Sequence, residues 1–219
     1  MIRIWGKMEN YFFDFDGTIC ESRHIYAASV QKTFEARGVK VPSTEDIYQA
    51  MGIPIDVSIA RWAQEGHRSD LAQTLFAESM AEYALLEDDQ VRLFPGIVKT
   101  LTQLKLAGKQ LFVCSSKTHP EIAHNLENLG LLDLFVDFVG ADEVVNHKPA
   151  SDEIDLLVKR HGLNLSESVM LGDAKYDIRM GKNAGCATCA CTWGAFDPAS
   201  LKKEKADYTV DYPLEILAI

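Results

Sequence analysis

Two aspartates near the start of the chain, Asp14 and Asp16, have the spacing most suggestive of chemistry. They follow an aromatic run at residues 11–13, which is typical of a buried strand, and Gly17 after them permits a sharp turn. Carboxylates two residues apart in an extended chain point to the same side and repel each other. The pair is tolerable if a cation binds between the carboxylates, or if one of them keeps a proton and acts as an acid. The alternative interpretation is an ordinary turn with solvated aspartates.

Polar groups also follow three later apolar runs. These groups are Ser115-Ser116-Lys117, Lys148-Pro149, and Gly172-Asp173 with Asp177. Serine hydroxyls and free backbone N–H groups before a helix form a seat for an anion, and a lysine neutralises a phosphate oxygen. Each group alone is an ordinary turn or a surface lysine. If the groups converge, two serines, a lysine and four acidic residues make a coherent site for Mg²⁺, which prefers oxygen ligands.

The elements that must bring these groups together are predicted from residue 94 onward, where short β-rich runs alternate with helical segments. The predicted strands cover residues 109–114, 135–139, 169–171 and 186–191, and the predicted helices cover 97–107, 120–129, 151–161 and 178–184. Such alternation indicates an α/β fold with a doubly wound parallel sheet, to which the strand at residues 11–13 also belongs. Ligands of these sheets bind beyond the carboxyl ends of the strands, so the polar groups should meet there.

Residues 22–90 break this alternation, because helical periodicity dominates and no convincing strand occurs. We therefore predict an α-helical cap domain, inserted after the first strand. The core domain then comprises residues 1–21 and 91–219. A chain of 219 residues is long enough for one core and such an appended unit.

The charge balance and the composition exclude several classes of function. Acidic residues outnumber basic ones by 32 to 22, giving a formal net charge of -10, whereas a nucleic-acid surface needs a basic stripe. No segment has the length of a membrane span, and residues 1–7 lack the apolar core of a signal peptide. The odd count of five cysteines argues against a disulfide framework. We expect a cytoplasmic protein with no nucleic-acid or membrane partner.

Three of the cysteines, Cys186, Cys189 and Cys191, lie close together and suggest zinc. Cys189 and Cys191 alternate within a β-rich run, however, which is typical of small thiols buried in a strand. A fourth ligand at zinc-finger spacing is also missing. We therefore favour buried thiols over a metal site.

Taken in order, the motifs resemble the haloacid dehalogenase-like superfamily, and within it the phosphoglycolate-phosphatase-like branch with a helical cap. The matching residues are Asp14 to Thr18 for the first motif, Ser115 for the second, Lys148-Pro149 for the third, and Gly172-Asp173 with Asp177 for the fourth. The likeness covers nearly the whole chain, and residues 19–22 resemble the hinge into the cap. Four motifs in this order are far more specific than any one of them.

The resemblance implies a magnesium-dependent phosphatase that hydrolyses a small, phosphoglycolate-like phosphomonoester. Asp14 would attack phosphorus and become a phosphoaspartate, and Asp16 would protonate the leaving oxygen. The Mg²⁺ ion would be bound by the Asp14 and Asp173 carboxylates and by the main-chain carbonyl of Asp16. Asp177 would support these ligands or orient Lys148.

The resemblance also implies which groups hold the substrate. Ser115 and Lys148 would act both in catalysis and in substrate binding, together with the N–H group of Ser116, by holding the phosphoryl oxygens. Lys117 is expected to face solvent. The expected partner is a small phosphorylated metabolite, and the protein is expected to be a monomer or a homodimer.

Several alternatives stay open within the same superfamily. A phosphomutase is the first, although the cap histidine of hexose-phosphate mutases falls near Tyr26, and His24 is two places early. Pyrophosphate or a nucleotide would satisfy the same motifs, as would a sugar phosphate. A non-catalytic binding module is disfavoured, because binding alone does not need both Asp14 and Asp16. The presence of Asp16 also argues against a dehalogenase.

Substrate choice depends on the predicted cap. The segment Gly52-Ile53-Pro54-Ile55 resembles a loop that faces the substrate. Five basic residues of the cap can meet a substrate carboxylate or a second phosphate: Arg23, His24, Arg61, His67 and Arg68. Any one of them is more simply explained as a solvated helix residue.

Overall fold

The computed structural model describes residues 8–51 and 53–219. The prediction about a signal peptide at residues 1–7 lies outside this part of the chain, and so does the predicted role of Gly52. Within the described residues, no helix combines the length and the apolar composition that crossing a lipid bilayer requires.

A parallel sheet forms the centre of the molecule. In chain order, the strands are β1 (Asn10–Phe13), β2 (Cys20–Glu21), β3 (Arg92–Leu93), β4 (Gln110–Ser115), β5 (Asp137–Gly140), β6 (Ser168–Gly172), β7 (Ala187–Cys191) and β8 (Tyr208–Val210). The sheet has the order β5-β4-β1-β6-β7-β8, and every pairing within it is parallel. Strands β2 and β3 form a separate antiparallel ribbon.

Helices of the core cover both faces of the sheet. In chain order, all the helices of the described residues that we number are α1 (Arg23–Ala36), α2 (Thr44–Ala50), α3 (Ile55–Glu65), α4 (Ala72–Gln90), α5 (Ile97–Leu106), α6 (His119–Asn128), α7 (Asp152–His161), α8 (Lys175–Ala184) and α9 (Pro198–Lys203). Apolar residues of α5 and α6 pack in one core cluster, and those of α7 and α8 pack in another. The predicted doubly wound α/β fold is therefore confirmed, with strand and helix ends within a few residues of those expected.

The position of β1 explains its aromatic sequence. It lies between β4 and β6, with Phe12 in register with Phe112 on one side and Met170 on the other. All four of its residues are buried. Because side chains alternate along a strand, Tyr11 and Phe13 belong to one core cluster and Phe12 to the other. The strand therefore holds both faces of the sheet together and presents its carboxyl end between two neighbours.

Helices α1 to α4 lie between β2 and β3 in the chain, in the segment predicted to be a cap. They have an apolar cluster of their own, which includes Phe34, Ile59, Trp62 and Leu75. The ribbon of β2 and β3 marks where the chain enters and leaves these helices. The exact division at residues 22 and 90 stays a prediction.

The last part of the chain was not anticipated from the sequence. Helix α9 and strand β8 follow β7, and β8 extends the sheet by pairing with it. Both elements are short, at six and three residues, so their sequences show too little periodicity to be recognised.

Candidate active site

Asp14 and Lys148 form a buried ion pair at the carboxyl end of β1. Asp14 follows the last residue of the strand, and its backbone N–H donates to the carbonyl of Leu171 in β6 at 2.9 Å. The Lys148 Nζ atom donates to Asp14 Oδ1 at 2.6 Å and to Asp177 Oδ1 at 2.8 Å. The side chain of Lys148 is 0% exposed, so its charge is shared between these two carboxylates.

Asp173 brings a third carboxylate to the same place. One carboxylate oxygen from each of Asp14, Asp173 and Asp177 lies within 4.8 Å of the others. Burial raises the pKa of Asp14 to about 7, although Lys148 opposes the shift. Burial also raises the pKa of Asp173 well above its usual range, and the charges of Asp14 and Asp177 add to this. Three clustered acids with one lysine leave negative charge that a cation can neutralise.

This donor set fits a hard divalent cation. The cluster offers carboxylate oxygens, and Mg²⁺ is bound through one or two carboxylates while it keeps some of its water. Thr18 Oγ1 donates to Asp173 Oδ1 at 3.2 Å and so orients one of the oxygens. The proposed ligands Asp14 and Asp173 are thus brought together, and Asp177 contacts Lys148, as its predicted orienting role requires.

Glycine is required where the first and fourth motifs meet. Gly17 has φ +88°, and a Cβ atom on it would overlap the carboxylate of Asp173. A Cβ atom on Gly172 would overlap the side chain of Asp177 in the same way. The absence of side chains at these two positions lets the carboxylates approach each other.

Asp16 is not part of this acidic cluster and is bonded instead at the entry to the helical insertion. It accepts a short hydrogen bond from the hydroxyl of Ser22. Burial raises the pKa of Asp16, while the charge of Lys117 and the bond from Ser22 act to lower it. A carboxyl group that holds a proton at higher pH than usual can donate that proton to a leaving oxygen.

Lys117 is buried, so the prediction that it faces solvent is wrong. It is 4% exposed, and its Nζ atom donates to Glu87 Oε1 at 3.0 Å and to the Tyr83 hydroxyl at 3.2 Å. The same atom lies 4.6 Å from the centre of the Tyr83 ring and 5.5 Å from that of Tyr26. Burial lowers the pKa of Lys117, but Asp16, Tyr26, Tyr83 and Glu87 together outweigh the effect of burial, and the net shift is upward.

This error arises from a tertiary contact. Lys117 follows β4 in a sequence that reads as a polar turn, but α4 covers that turn with Tyr83 and Glu87. These residues are 30 or more positions away in the chain, and local sequence does not reveal the contact. Lys117 therefore joins the sheet to the helical insertion.

A cavity of about 270 Å³ opens onto these groups. We call it the first cavity; the core residues Asp14, Asp16, Ser115 and Ser116 line it. Ser115 ends β4 and is 1% exposed, and its Oγ atom accepts the backbone N–H of Lys117 at 3.2 Å. The two acids of the first motif and both predicted serines thus line one cavity.

The predicted substrate loop also faces the first cavity. Ile53, Pro54 and Ile55 are among its lining residues. The predicted basic residues of the cap do not line it: Arg23, His24, Arg61, His67 and Arg68. Of these, Arg23 donates to Glu21 at 2.6 Å and Arg68 donates to Asp70 at 3.0 Å.

A second cavity, of about 450 Å³, lies beside the first. Arg23 and Arg61 line it, together with Gly17 and Asp173. The second cavity therefore approaches the acidic cluster from the side of Asp173. Asp16 is not among its lining residues.

Sequence reasoning missed Glu153, which lies in the first turn of α7. The residue is 1% exposed, and neither of its carboxylate oxygens has a hydrogen-bond partner among the described residues. Burial raises the pKa of Glu153 to about 8, although the charge of Lys148 opposes this. Glu153 stands next to buried Ile154 and four positions before buried Leu157, on the same side of α7. This helical spacing was the available signal.

The cysteines agree with the interpretation as buried thiols. All five are free and buried, and Cys189 and Cys191 lie within β7.

Sequence and structural similarity relate the chain to known hydrolases. A phosphoglycolate phosphatase of Vibrio parahaemolyticus is 30% identical over 213 residues, covering 94% of this chain and 93% of the relative. A pyrophosphatase PpaX of Listeria monocytogenes is 26% identical over 98% of this chain and 97% of its own length. A haloacid dehalogenase-like family hydrolase from Streptococcus pneumoniae has a solved structure with a TM-score of 0.86 and 26% identity, covering 96% of this chain and 97% of that one. Residues 11–191 match the haloacid dehalogenase-like hydrolase family. The chain therefore belongs to the haloacid dehalogenase-like hydrolase family.

Proposed function

We propose that the protein is a magnesium-dependent phosphatase that hydrolyses a small phosphomonoester through a phosphoaspartate at Asp14. The observation that carries this proposal is the pairing of buried Asp14 with Lys148, on the same cavity as a second acid, Asp16. This arrangement supports attack by one carboxylate and proton transfer by the other. Such a division of roles splits a difficult displacement into two easier steps.

The first step forms a bond between an Asp14 oxygen and phosphorus and breaks the bond from phosphorus to the leaving oxygen. Asp16 gives its proton to that oxygen. In the second step Asp16 takes a proton from water as the water oxygen attacks phosphorus. The bond to Asp14 then breaks and inorganic phosphate is released. The burial that raises the pKa of Asp16 favours the protonated form that the first step uses.

The proposed Mg²⁺ ligands are the carboxylates of Asp14 and Asp173 and the main-chain carbonyl of Asp16. When bound, the ion neutralises negative charge on the nucleophile and on the phosphoryl group. Asp177 holds Lys148 through the 2.8 Å bond, so the ammonium group stays beside Asp14. Removal of the ion would leave the acidic cluster with Lys148 as its bonded cation.

The oxygens of the phosphoryl group are proposed to bind the Ser115 hydroxyl, the Ser116 N–H group and Lys148. Ser115 and Ser116 line the first cavity beside Asp14, and Lys148 is in contact with Asp14. These donors stabilise charge that spreads over the oxygens in the transition state. One relative is named a phosphoglycolate phosphatase and another a pyrophosphatase. Both names describe the transfer of a phosphoryl group to water.

Hydrolysis of p-nitrophenyl phosphate, with and without Mg²⁺, tests this proposal. We expect turnover that requires the ion and that falls by about 10³-fold or more in Asp14→Asn, because the amide is not a nucleophile. Asp89→Asn, at an exposed position of α4, serves as the control and should keep full activity. Full activity of Asp14→Asn, with its fold verified by circular dichroism, would refute the role of Asp14.

A further inference from the structure

The roof of the first cavity is apolar, and this limits the leaving groups that it can accept. The roof comprises Met51, Ile53, Pro54, Ile55, Phe76 and Met80. These residues come from the helical insertion, which also contributes Tyr26 and Asp56 to the lining, whereas Asp14 and the two serines come from the core. A charged group placed against the roof would lose its hydration without gaining a partner, which is costly.

The remaining wall of the first cavity adds negative charge. Asp56, Glu121 and Asp142 are among the lining residues. The Glu121 carboxylate accepts the backbone N–H of Thr118, and the Asp142 carboxylate accepts that of His119. Neither contact supplies a positive side chain. A second anionic group on the substrate would therefore meet carboxylates as well as apolar side chains.

Among the described lining residues, only Lys117 and His147 can carry a positive charge. The ammonium group of Lys117 is already bonded to Glu87, and its side chain is 2% exposed. His147 precedes Lys148 in the core domain, and its buried Nδ1 atom has no hydrogen-bond partner among the described residues. The roof residues themselves include no cationic side chain, so an anion under the roof would depend on His147 alone.

The N-terminus of α3 also borders the first cavity, and helix N-termini attract anions. Asp56 lies in the first turn of this helix. A carboxylate at that position already offsets the partial positive charge of the helix end. The helix therefore offers little attraction for a further negative group.

The position of Asp16 decides which cavity receives the leaving group. The leaving oxygen takes its proton from Asp16, so the group attached to that oxygen must lie where Asp16 is accessible. Asp16 lines the first cavity and is not among the lining residues of the second. The arginines Arg23 and Arg61 line the second cavity, on the far side of Asp173.

We infer that the substrate is a phosphomonoester whose leaving group is largely apolar and carries no negative charge. This inference rests on the proposed function and narrows it. The inferred substrate differs from the substrates in the names of the relatives, because glycolate and phosphate are both anionic leaving groups. Phosphoglycolate and pyrophosphate should then be poor substrates.

Three aryl phosphates test the inference. Phenyl phosphate has an apolar leaving group, 4-carboxyphenyl phosphate adds a negative charge, and 4-carbamoylphenyl phosphate matches the size of the second without the charge. We expect kcat/KM for phenyl phosphate to exceed that for 4-carboxyphenyl phosphate by at least about tenfold, a difference of about 1.4 kcal/mol. Because the electron-withdrawing carboxylate makes its phenol the better leaving group, intrinsic reactivity favours the opposite order. The carbamoyl ester should also be preferred to the carboxyl ester.

A matched pair of variants at Ile55 locates the effect. Ile55→Lys places an ammonium group in the roof, and we expect it to reduce the preference for phenyl over 4-carboxyphenyl phosphate by several fold. Ile55→Met keeps a similar length without charge and should leave the preference unchanged. His147→Gln should also leave it unchanged. A changed preference in this variant would show that the imidazole contacts the leaving group, which contradicts the inference.

The outcomes separate this inference from the proposed function. Absence of Mg²⁺-dependent turnover on all three esters would refute the phosphatase itself. Turnover with equal kcat/KM for the carboxyl and carbamoyl esters would refute the inference alone. A preference for the carboxyl ester that is lost in Arg61→Gln would place the leaving group in the second cavity, which contradicts the inference.

Discussion

The floor and the roof of the first cavity are built in different ways. The floor comes from the core and consists of Asp14, Asp16, Ser115 and Ser116 with Lys148 behind them. The roof comes from the helical insertion and is apolar, as its residues Ile53, Ile55 and Phe76 illustrate. Asp14 in the floor is buried and ion-paired with Lys148, whereas the named roof side chains carry no charge.

This difference separates chemistry from selection. The floor residues follow strand ends, and the sheet fixes the positions of those ends relative to each other. The roof residues belong to the loop before α3, to the first residue of α3 and to the long helix α4, none of which is part of the sheet, so they can change without disturbing it. We therefore expect substitutions in the floor to alter turnover and substitutions in the roof to alter substrate preference.

Of the buried charges Lys148, Lys117 and Glu153, Lys148 should give the largest effect when it is replaced, because its loss breaks the floor directly. Lys148→Met leaves Asp14 and Asp177 buried without the ammonium group that now bonds both. We expect kcat to fall by about 10²- to 10³-fold and the free energy of unfolding to fall by about 3–5 kcal/mol. Steady-state kinetics and urea unfolding measure the two quantities. The exposed Lys99 of α5 provides the control, and Lys99→Met losing as much would contradict the account.

Replacing Lys117 should have the next largest effect, because it separates the floor from the helices above. Lys117→Met leaves Glu87 buried without its ion pair and removes a charge that lowers the pKa of Asp16. We expect a loss of about 3 kcal/mol in the free energy of unfolding. The alkaline limb of the kcat/KM profile should move to higher pH, since Asp16 would then keep the proton that the first step requires up to a higher pH.

A double variant sharpens this test. Lys117→Met combined with Glu87→Gln removes both charges, so the two changes should destabilise the protein by less than their sum. A coupling of about 1–3 kcal/mol is expected. Strict additivity would show that the pair does not join the two regions energetically.

Replacing Glu153 should have the smallest effect on turnover, because it lies beneath the floor and faces no cavity described above. Its folded pKa of about 8 exceeds the ordinary value of 4.5, so the folded state binds the proton more tightly than the unfolded state. Stability from this group is present at low pH and is lost as pH rises from about 4.5 to 8. Glu153→Gln should therefore match the wild type near pH 4.5 and become the more stable protein at pH 8. The same change in the free energy of unfolding with pH for both proteins would contradict this.

The parts of the molecule that sequence predicted well share one property, which is local patterning. The aromatic run before Asp14, the glycines beside the acids and the alternation of strands and helices all reflect positions that the sheet constrains. Asp14, Asp173 and Lys148 could be placed together because parallel strands end at one edge. The resemblance to a family then assigned each a role.

The parts that sequence predicted poorly depend on contacts between distant segments. Lys117 reads as a solvated turn residue until α4 lies over it, and Glu153 reads as an ordinary acid in the first turn of a helix. The basic residues of the cap were plausible anion ligands, yet Arg23 and Arg61 line the second cavity. Helix packing decides which face of α1 or α3 meets the core, and local sequence does not specify that face.

Chemical trapping of the intermediate tests the central claim most directly. During turnover of p-nitrophenyl phosphate with Mg²⁺, borohydride reduces an acyl phosphate on aspartate to homoserine, which mass spectrometry of the digested protein locates. The account predicts homoserine at residue 14, and none there in Asp14→Asn. Homoserine at Asp16 instead, or no modified aspartate while hydrolysis proceeds, would contradict it.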